Sequence, residues 1–427
     1  MSFEPTFING NFDDPLETAT FAKLRMVFAD QVVSRCFDKR AGSERDYINI
    51  ALYPLALGVA KNWWSLLYEP RKSDQRHALV EARHSLDALT TGFMFPAMSI
   101  WSNGLDGVSV EIPEVRQEFS PVEFLPLENR DVSVAREEVE ASLYTLIDRV
   151  AARVPAGAGD ELRSMWERLR HSFGDAEERQ YCMAAGRLGL DPYGSDAPDL
   201  AELSEGLSER LFSDVCDALT PAELVEGTAW AREGVARLAT VDDVVSGLGV
   251  VTPYQPNQPV WEDGYEAARA LRRNLNLEDV PARRVVDALF GNFVRSTNVS
   301  QLVHPLSLQG IVGRDGDALK IALPNVAARM RRSTLCRALY VAWRTNDGDA
   351  SAVTTAATVN QQGGRAFAAE LLAPAEQLRQ RAGEIGLTED AVEAIARENV
   401  CPTSTVIWNA YNNKIPLRGV ELPRTHW

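Results

Sequence analysis

Apolar and polar positions along the first 130 residues change at two different periods. Thr18 to Asp30, Gln31 to Phe37 and Asp46 to Ile50 read as β segments, the pattern of strands half-buried on one face. Phe95 to Trp101, Val108 to Ile112 and Val122 to Pro126 resume it, and Asn103-Gly104 supplies the turn residues of a hairpin. Two helices interrupt the strands. Tyr53 to Tyr68 is apolar over most of its length and carries Trp63 and Trp64. Neighbouring side chains on a helix point about 100° apart, so the two rings are not expected to share one contact. One is expected in the core and the other towards a domain interface or groove. Ser73 to Thr90 reads as a second helix with the apolar stripe Leu79, Ala82, Leu86 and Leu89. That stripe leaves His77, Glu81 and His84 on the opposite, polar face.

Helical periodicity takes over from about residue 133. Val134 to Val154, Glu161 to Phe173, Glu177 to Leu188, Leu200 to Leu219 and Pro221 to Leu238 read as helices. Thr220-Pro221-Ala222-Glu223 combines an N-cap, a first-turn proline and a capping-box glutamate, a specific helix start. The proline-rich run Val251 to Pro259 reads as a linker. Helices are expected again over Trp261 to Leu275 and Pro281 to Leu289. A hairpin follows over Asp315-Gly316, joining Gly310–Val312 to Ala318–Ile321. Helices around Arg331 and Phe367 and two short ones near the C-terminus complete the chain. The expectation is a multidomain α+β protein: a β-rich N-terminal domain with two helices (1–132), a helical middle (133–250), a linker (251–260) and a mostly helical C-terminal domain with a small sheet (261–427).

Composition narrows the function classes. The formal net charge of −16 disfavours general nucleic-acid binding, because an acidic surface repels phosphate backbones. The densest basic stretch, Arg329 to Arg337, is the one candidate for a local patch. No run is long and apolar enough to span a bilayer, and no signal peptide is expected at the N-terminus. The five cysteines are scattered without Cys-x-x-Cys spacing, which points to buried thiols in a reducing cytoplasm. Neither a P-loop nor a dinucleotide-binding fingerprint is present.

The most specific signal lies near the C-terminus. Gly364-Arg365-Ala366-Phe367-Ala368-Ala369-Glu370-Leu371-Leu372-Ala373-Pro374 resembles the "ANAFAAELLMP" signature of the ImmA/IrrE family of zinc metallopeptidases. The resemblance covers roughly residues 261–415 and implies a zincin-like C-terminal domain. In that family a preceding H-E-x-x-H helix supplies two zinc ligands and a general base. Arg331 to Val341 fits the register of that helix, with Arg337-Ala338-Leu339-Tyr340-Val341 in place of the motif. Arg337 and Val341 fall at the histidine positions and Ala338 at the glutamate. The acidic ligand position meets Asn360-Gln361-Gln362-Gly363, with Gln361 as the degenerate position. Neither a guanidinium nor a valine offers a lone pair to a metal. No catalytic residue, metal or cofactor is therefore expected at these positions. Leu335, Leu339 and Trp343 form the core stripe of this helix.

The resemblance implies a non-catalytic regulatory protein that binds a partner, for example a helix-turn-helix repressor or a component of a stress-response, mobile-element or phage-defence system. Arg337 is expected to pair with a nearby carboxylate such as Glu370 or to serve a pocket for an anionic group. Trp63, Trp64, His77 and His84 are further candidate contacts. Two other readings compete. A metal-dependent peptidase with displaced ligands would use His77, Glu81 and His84, or His304. A DNA-binding regulator would use the tail helices, with Asn409 and Asn412 on the reading face; four acidic residues on the preceding helix, Glu389, Asp390, Glu393 and Glu398, argue against it. Cys336, beside Arg337, is expected to be a buried, inert thiol.

Overall fold

The computed structural model describes residues 1–72, 78–90, 92–104, 107–114, 120–194, 198–241, 245–249, 251, 259–294 and 305–423. The chain is α+β and divides into two compact units, Met1–Leu200 and Ala201–Trp427. The boundary falls inside the stretch read from sequence as one helical middle domain. The helices Arg136–Ala151, Asp160–Gly174 and Ala176–Arg187 belong to the first unit, and Glu209–Ala218 and Leu224–Ala236 to the second. Helical periodicity marks an apolar stripe but not the surface that covers it, so the stripe alone could not assign these helices to a core. The Pro-rich stretch lies almost wholly outside the described residues.

In the first unit the strand Phe21–Phe28 buries Ala22, Leu24, Met26 and Phe28 on one face. It pairs antiparallel with Ser2–Phe7 on one edge and with Ile48–Ala51 and Gln31–Val32 elsewhere along its length. The residues before it form a short helix, Pro15–Thr20, because Asp14 caps the amide of Leu16 and a proline opens the first turn. The strand is therefore shorter than Thr18 to Asp30. The expected hairpin around Asn103-Gly104 joins Ser99–Ser102 to Gly107–Glu111, which also pairs with Asp131–Ala135. A third sheet holds Ser43–Arg45, Cys36–Asp38 and Val122–Phe124.

The Tyr53–Tyr68 helix, read correctly from sequence, is the spine of this unit. Arg136–Ala151, Asp160–Gly174 and Ala176–Arg187 pack around it. Gly186 is required here: a Cβ would sit 2.5 Å from the carbonyl oxygen of Trp64. The stretch read as one helix from Ser73 to Thr90 is helical only over Ala78–His84 among the described residues, and Leu86 and Leu89 lie in the turns that follow.

The second unit holds a four-stranded antiparallel sheet in the order Ala239–Val241, Ala318–Ala322, Leu308–Asp315, Ala350–Thr354. The hairpin over Asp315-Gly316 is present, with Gly316 at φ +59°. Leu200 to Leu219 is two helices, Leu200–Ser204 and Glu209–Ala218. Gly206 at φ +75° breaks the first and the Ser208 hydroxyl caps the second. The capping box at Thr220 and Glu223 is formed.

Against the sheet lies the helix Ala328–Trp343, with Leu335, Leu339 and Trp343 buried as the sequence stripe requires. It packs on Val359–Leu372, which also crosses Val260–Asn274 and meets Thr403–Asn412. The crossings are close because glycines line them. A Cβ at Gly264 would overlap the carbonyl oxygen of Gly363, and one at Gly363 would overlap the Tyr340 hydroxyl. Among the described residues no helix is long and apolar enough to cross a membrane.

This crossing yields a direct test. Gly264→Ala adds one methyl against two backbone atoms and the Cβ of Ala366, none of which can swing away. We expect a loss of about 1–3 kcal/mol in urea unfolding, the ordinary range for overpacking. An unchanged midpoint would show that the two helices have room to separate.

Candidate functional site

The degenerate metal positions come together. Arg337 projects from the middle of Ala328–Trp343 and is only 5% exposed. Its Nη2 donates to the side-chain oxygen of Gln361 at 2.9 Å and to the carbonyl oxygen of Thr354; its Nη1 donates to the side-chain oxygen of Gln309. Gln361 stands in the first turn of Val359–Leu372 and is 1% exposed. Its amide also bridges the edge strand Ala350–Thr354, accepting from the Thr354 amide at 2.9 Å and donating to Ala352 O at 2.7 Å. Val341 and Ala338 are buried in the same helix and present only methyl groups. The site thus pairs a guanidinium with a neutral amide that both accepts and donates, which an ionised carboxylate could not do.

The electrostatics of this arrangement are unusual. All three acceptors of Arg337 are uncharged, and its Nε is buried without a partner. Loss of hydration pushes the Arg337 pKa well below the usual guanidinium range, and the nearby Arg365 pushes it in the same direction. Arg365, half-buried on Val359–Leu372, donates to the carbonyl oxygen of Ala356 at 3.1 Å and is itself lowered to about 10 by burial. The two guanidinium groups donate to carbonyl oxygens two residues apart, Thr354 O and Ala356 O, and no ion pair joins either to a carboxylate among the described residues. Arg365 lies inside the signature that carries the resemblance, yet only the fold shows that it meets Arg337.

Glu370 does not supply the missing charge. It binds Arg269 Nε at 2.9 Å, Asn409 Nδ2 at 3.0 Å and the amide of Ala375 at 3.1 Å. The expected Arg337–Glu370 pair is corrected accordingly: Glu370 faces the helices Val260–Asn274 and Thr403–Asn412. The same network removes Asn409 and Asn412 from any reading face. Asn409 is fully buried and also donates to Ala373 O, and Asn412 donates to the Tyr265 hydroxyl at 3.1 Å. The basic stretch from Arg329 to Arg337 is likewise no surface patch. Arg331, Arg332 and Arg337 are buried, and Arg332 pairs with Asp287 at 2.6 Å. Cys336 is fully buried, which raises its thiol to about 12, so it is held as an unreactive thiol.

The other sequence candidates also change role. Trp63 and Trp64 are both buried, and neither faces a groove. Both rings contact Phe173, at 5.5 and 5.8 Å between centroids, because a large ring on a neighbouring helix reaches two adjacent side chains at once. Trp64 also donates to the Tyr193 hydroxyl at 3.0 Å. His77 and His304 lie outside the described residues. Glu81 is exposed while His84 is fully buried, so these two do not converge on one metal. Among the described residues no group of three or more His, Cys, Asp or Glu side chains could hold a metal ion.

His84 belongs instead to a buried ion network that sequence reading missed. Its Nε2 faces Glu69 Oε2 at 3.0 Å, its Nδ1 faces Ile100 O at 2.7 Å, and its ring stacks on Trp101 at 3.7 Å. Arg83 donates from Nε to the same Glu69 at 2.7 Å. Carbonyl and carboxylate oxygens only accept, so both hydrogen bonds of His84 form together only when both ring nitrogens carry protons. This buried carboxylate draws His84 inward, while Glu81 on the same predicted face stays exposed. Burial alone would raise the Glu69 pKa, but the hydrogen bonds and charges of His84 and Arg83 outweigh it and hold the group below its unfolded value of 4.5.

A carboxyl group that ionises more readily folded than unfolded contributes its full stability above the unfolded pKa. That contribution is lost as pH falls below 4.5 through the folded value. Glu69→Gln should therefore cost about 3–5 kcal/mol at neutral pH, since it strands buried partners, and should flatten the acid limb of a stability–pH curve. An acid limb identical to that of the parent protein would exclude Glu69 as its source. No family model, no curated protein and no solved structure matches this chain, so the functional reading rests on the residues themselves.

Proposed function

We propose that this chain is a non-catalytic regulatory protein that keeps an ImmA/IrrE-like scaffold and uses it to bind a protein partner in a bacterial cytoplasm. The observation that carries the reading is the Arg337–Gln361 hydrogen bond. The residues at the first histidine position and at the acidic ligand position of the family register are 2.9 Å apart, and together they offer a fixed cation and a neutral amide. A divalent metal is repelled by that guanidinium, and no side chain there can act as general base. The partner class follows from the resemblance: family members act on helix-turn-helix repressors, and a scaffold without hydrolytic chemistry can retain recognition without cleavage. The engagement of Asn409 and Asn412 inside the fold, together with the acidic composition, supports a protein partner over DNA.

Two measurements test this. Gently purified protein should contain far less than one zinc per chain by elemental analysis. The triple variant Arg337→His, Ala338→Glu, Val341→His should gain no metal-dependent proteolysis, because Gln361 still supplies no charged ligand. Stoichiometric zinc in the parent protein, or robust cleavage by the variant, would reject the non-catalytic reading. Fluorescence anisotropy with duplex DNA should give no salt-sensitive dissociation constant near ~10⁻⁸ M, a typical specific affinity. Such an affinity, abolished by substitution of Asn409 and Asn412, would move the assignment to a DNA-binding regulator.

A further inference from the structure

We propose that Arg337 and Arg365, beside the N-terminal turn of the Val359–Leu372 helix, form a binding site for a phosphate group, as the free ion or as a small phosphate monoester. The proposal stands on the arginine geometry and not on the resemblance to a peptidase. A guanidinium carries five N–H donors. Arg337 commits three of them, to Gln309, Thr354 and Gln361. Its Nε–H and one Nη1–H have no acceptor among the described residues, and the Nε is a buried atom. Among the described residues Arg365 commits one donor, to Ala356 O at 3.1 Å, and its buried Nε has no partner. Neither guanidinium spends all of its donors on the described residues, and the two reach carbonyl oxygens two residues apart, Thr354 O and Ala356 O.

Two neighbouring arginines are charge-compensated, whereas the buried Arg331, like Arg337, meets neutral acceptors, in its case Asn325 and Val326. Arg332 meets Asp287 at 2.6 Å and Arg344 meets Asp263 at 2.9 Å. Arg337 and Arg365 have no such carboxylate among the described residues. Leaving a buried charge uncompensated is costly, and an anion bound to both would offset that cost. A second feature points the same way. Thr358 occupies the N-cap of Val359–Leu372 without capping it through its side chain, and Arg365 reaches back to Ala356, just before that cap. A helix N-terminus favours negative charge, so the dipole adds to the two guanidinium groups. Access is from the half-exposed side, where Thr355, Ala357, Val359, Asn360 and Arg365 are all only partly covered.

The charge count selects the ligand class. Phosphate carries about −1.5 to −2 at neutral pH and so matches the charge of two guanidinium groups. A carboxylate offers one charge and satisfies one arginine. The probe is therefore inorganic phosphate, titrated calorimetrically into the full-length protein at constant ionic strength, with acetate as control and glycerol 3-phosphate as the monoester. Saturable binding of phosphate at one site per chain is expected, with acetate much weaker. Tighter binding of glycerol 3-phosphate than of phosphate assigns a monoester, and the reverse assigns the free ion. Arg365→Gln should weaken phosphate at least ten-fold, equivalent to about 1.4 kcal/mol. Arg365→Lys keeps the charge, loses the planar fork and should fall between the two; it gives the readout if the glutamine variant does not fold. The proposal is overturned if phosphate does not saturate, if acetate equals it, or if the folded Arg365 variants bind it as tightly as the parent. Zinc content tests the non-catalytic reading separately, so the two ideas fail independently.

Discussion

The second unit is organised by a place where three helices approach closely at two glycines. Gly264 meets Gly363, and Gly363 in turn meets the ring of Tyr340. Dispersion and shape fit are strongest where backbones come close, and only glycine permits it here. The contact fixes the rotation of Val359–Leu372 about its own axis. Gln361 then has to face Arg337, Glu370 has to face Arg269 and Asn409, and Arg365 is left at the partly exposed edge. The Tyr340 hydroxyl donates to Asp263 at 2.6 Å across the same junction.

Charge inside this protein is handled in two ways. In the first unit, Glu69 is fully buried but sits between His84 and Arg83, and every polar contact it makes is with a donor. In the second, Glu370 is answered by Arg269 and by two neutral donors. These networks are locally complete and need nothing from outside. Arg337 differs in kind. Its hydrogen bonds go to amides and a carbonyl, which satisfy direction but not charge. Its only charged neighbour of note repels it. Arg331 is likewise buried among neutral acceptors, and what distinguishes Arg337 from it is the second guanidinium nearby, that of Arg365.

Several features were legible in the chain because they depend on neighbours in sequence. The Tyr53–Tyr68 helix, the capping box at Thr220, the Asp315-Gly316 hairpin and the core stripe Leu335, Leu339, Trp343 are all set by local periodicity or local turn chemistry. Other features misled for an equally physical reason. His84 carries a polar side chain, and polar faces are usually solvated, yet Glu69 is fifteen residues away in sequence and draws it inward. Trp63 and Trp64 diverge on their helix, but Phe173 spans both. Asn409 and Asn412 have the chemistry of base-reading side chains and are used to hold a buried glutamate and a tyrosine hydroxyl.

The amino-acid sequence by itself determined the α+β character, the acidic surface and the identity of the residues that stand at Arg337, Ala338, Val341 and Gln361. It also determined that Arg337, Ala338 and Val341 offer a metal no lone pair, because that follows from side-chain chemistry alone. Only the tertiary structure decided which groups meet: that Gln361 rather than Glu370 reaches Arg337, that Arg365 adds a second cation, and that the helical middle divides between two units. The reason is one of range. Helix and turn preferences act over a few residues, whereas ion pairing and glycine-mediated crossing join positions tens to hundreds of residues apart, and no local pattern in the chain encodes the angle at which such elements meet.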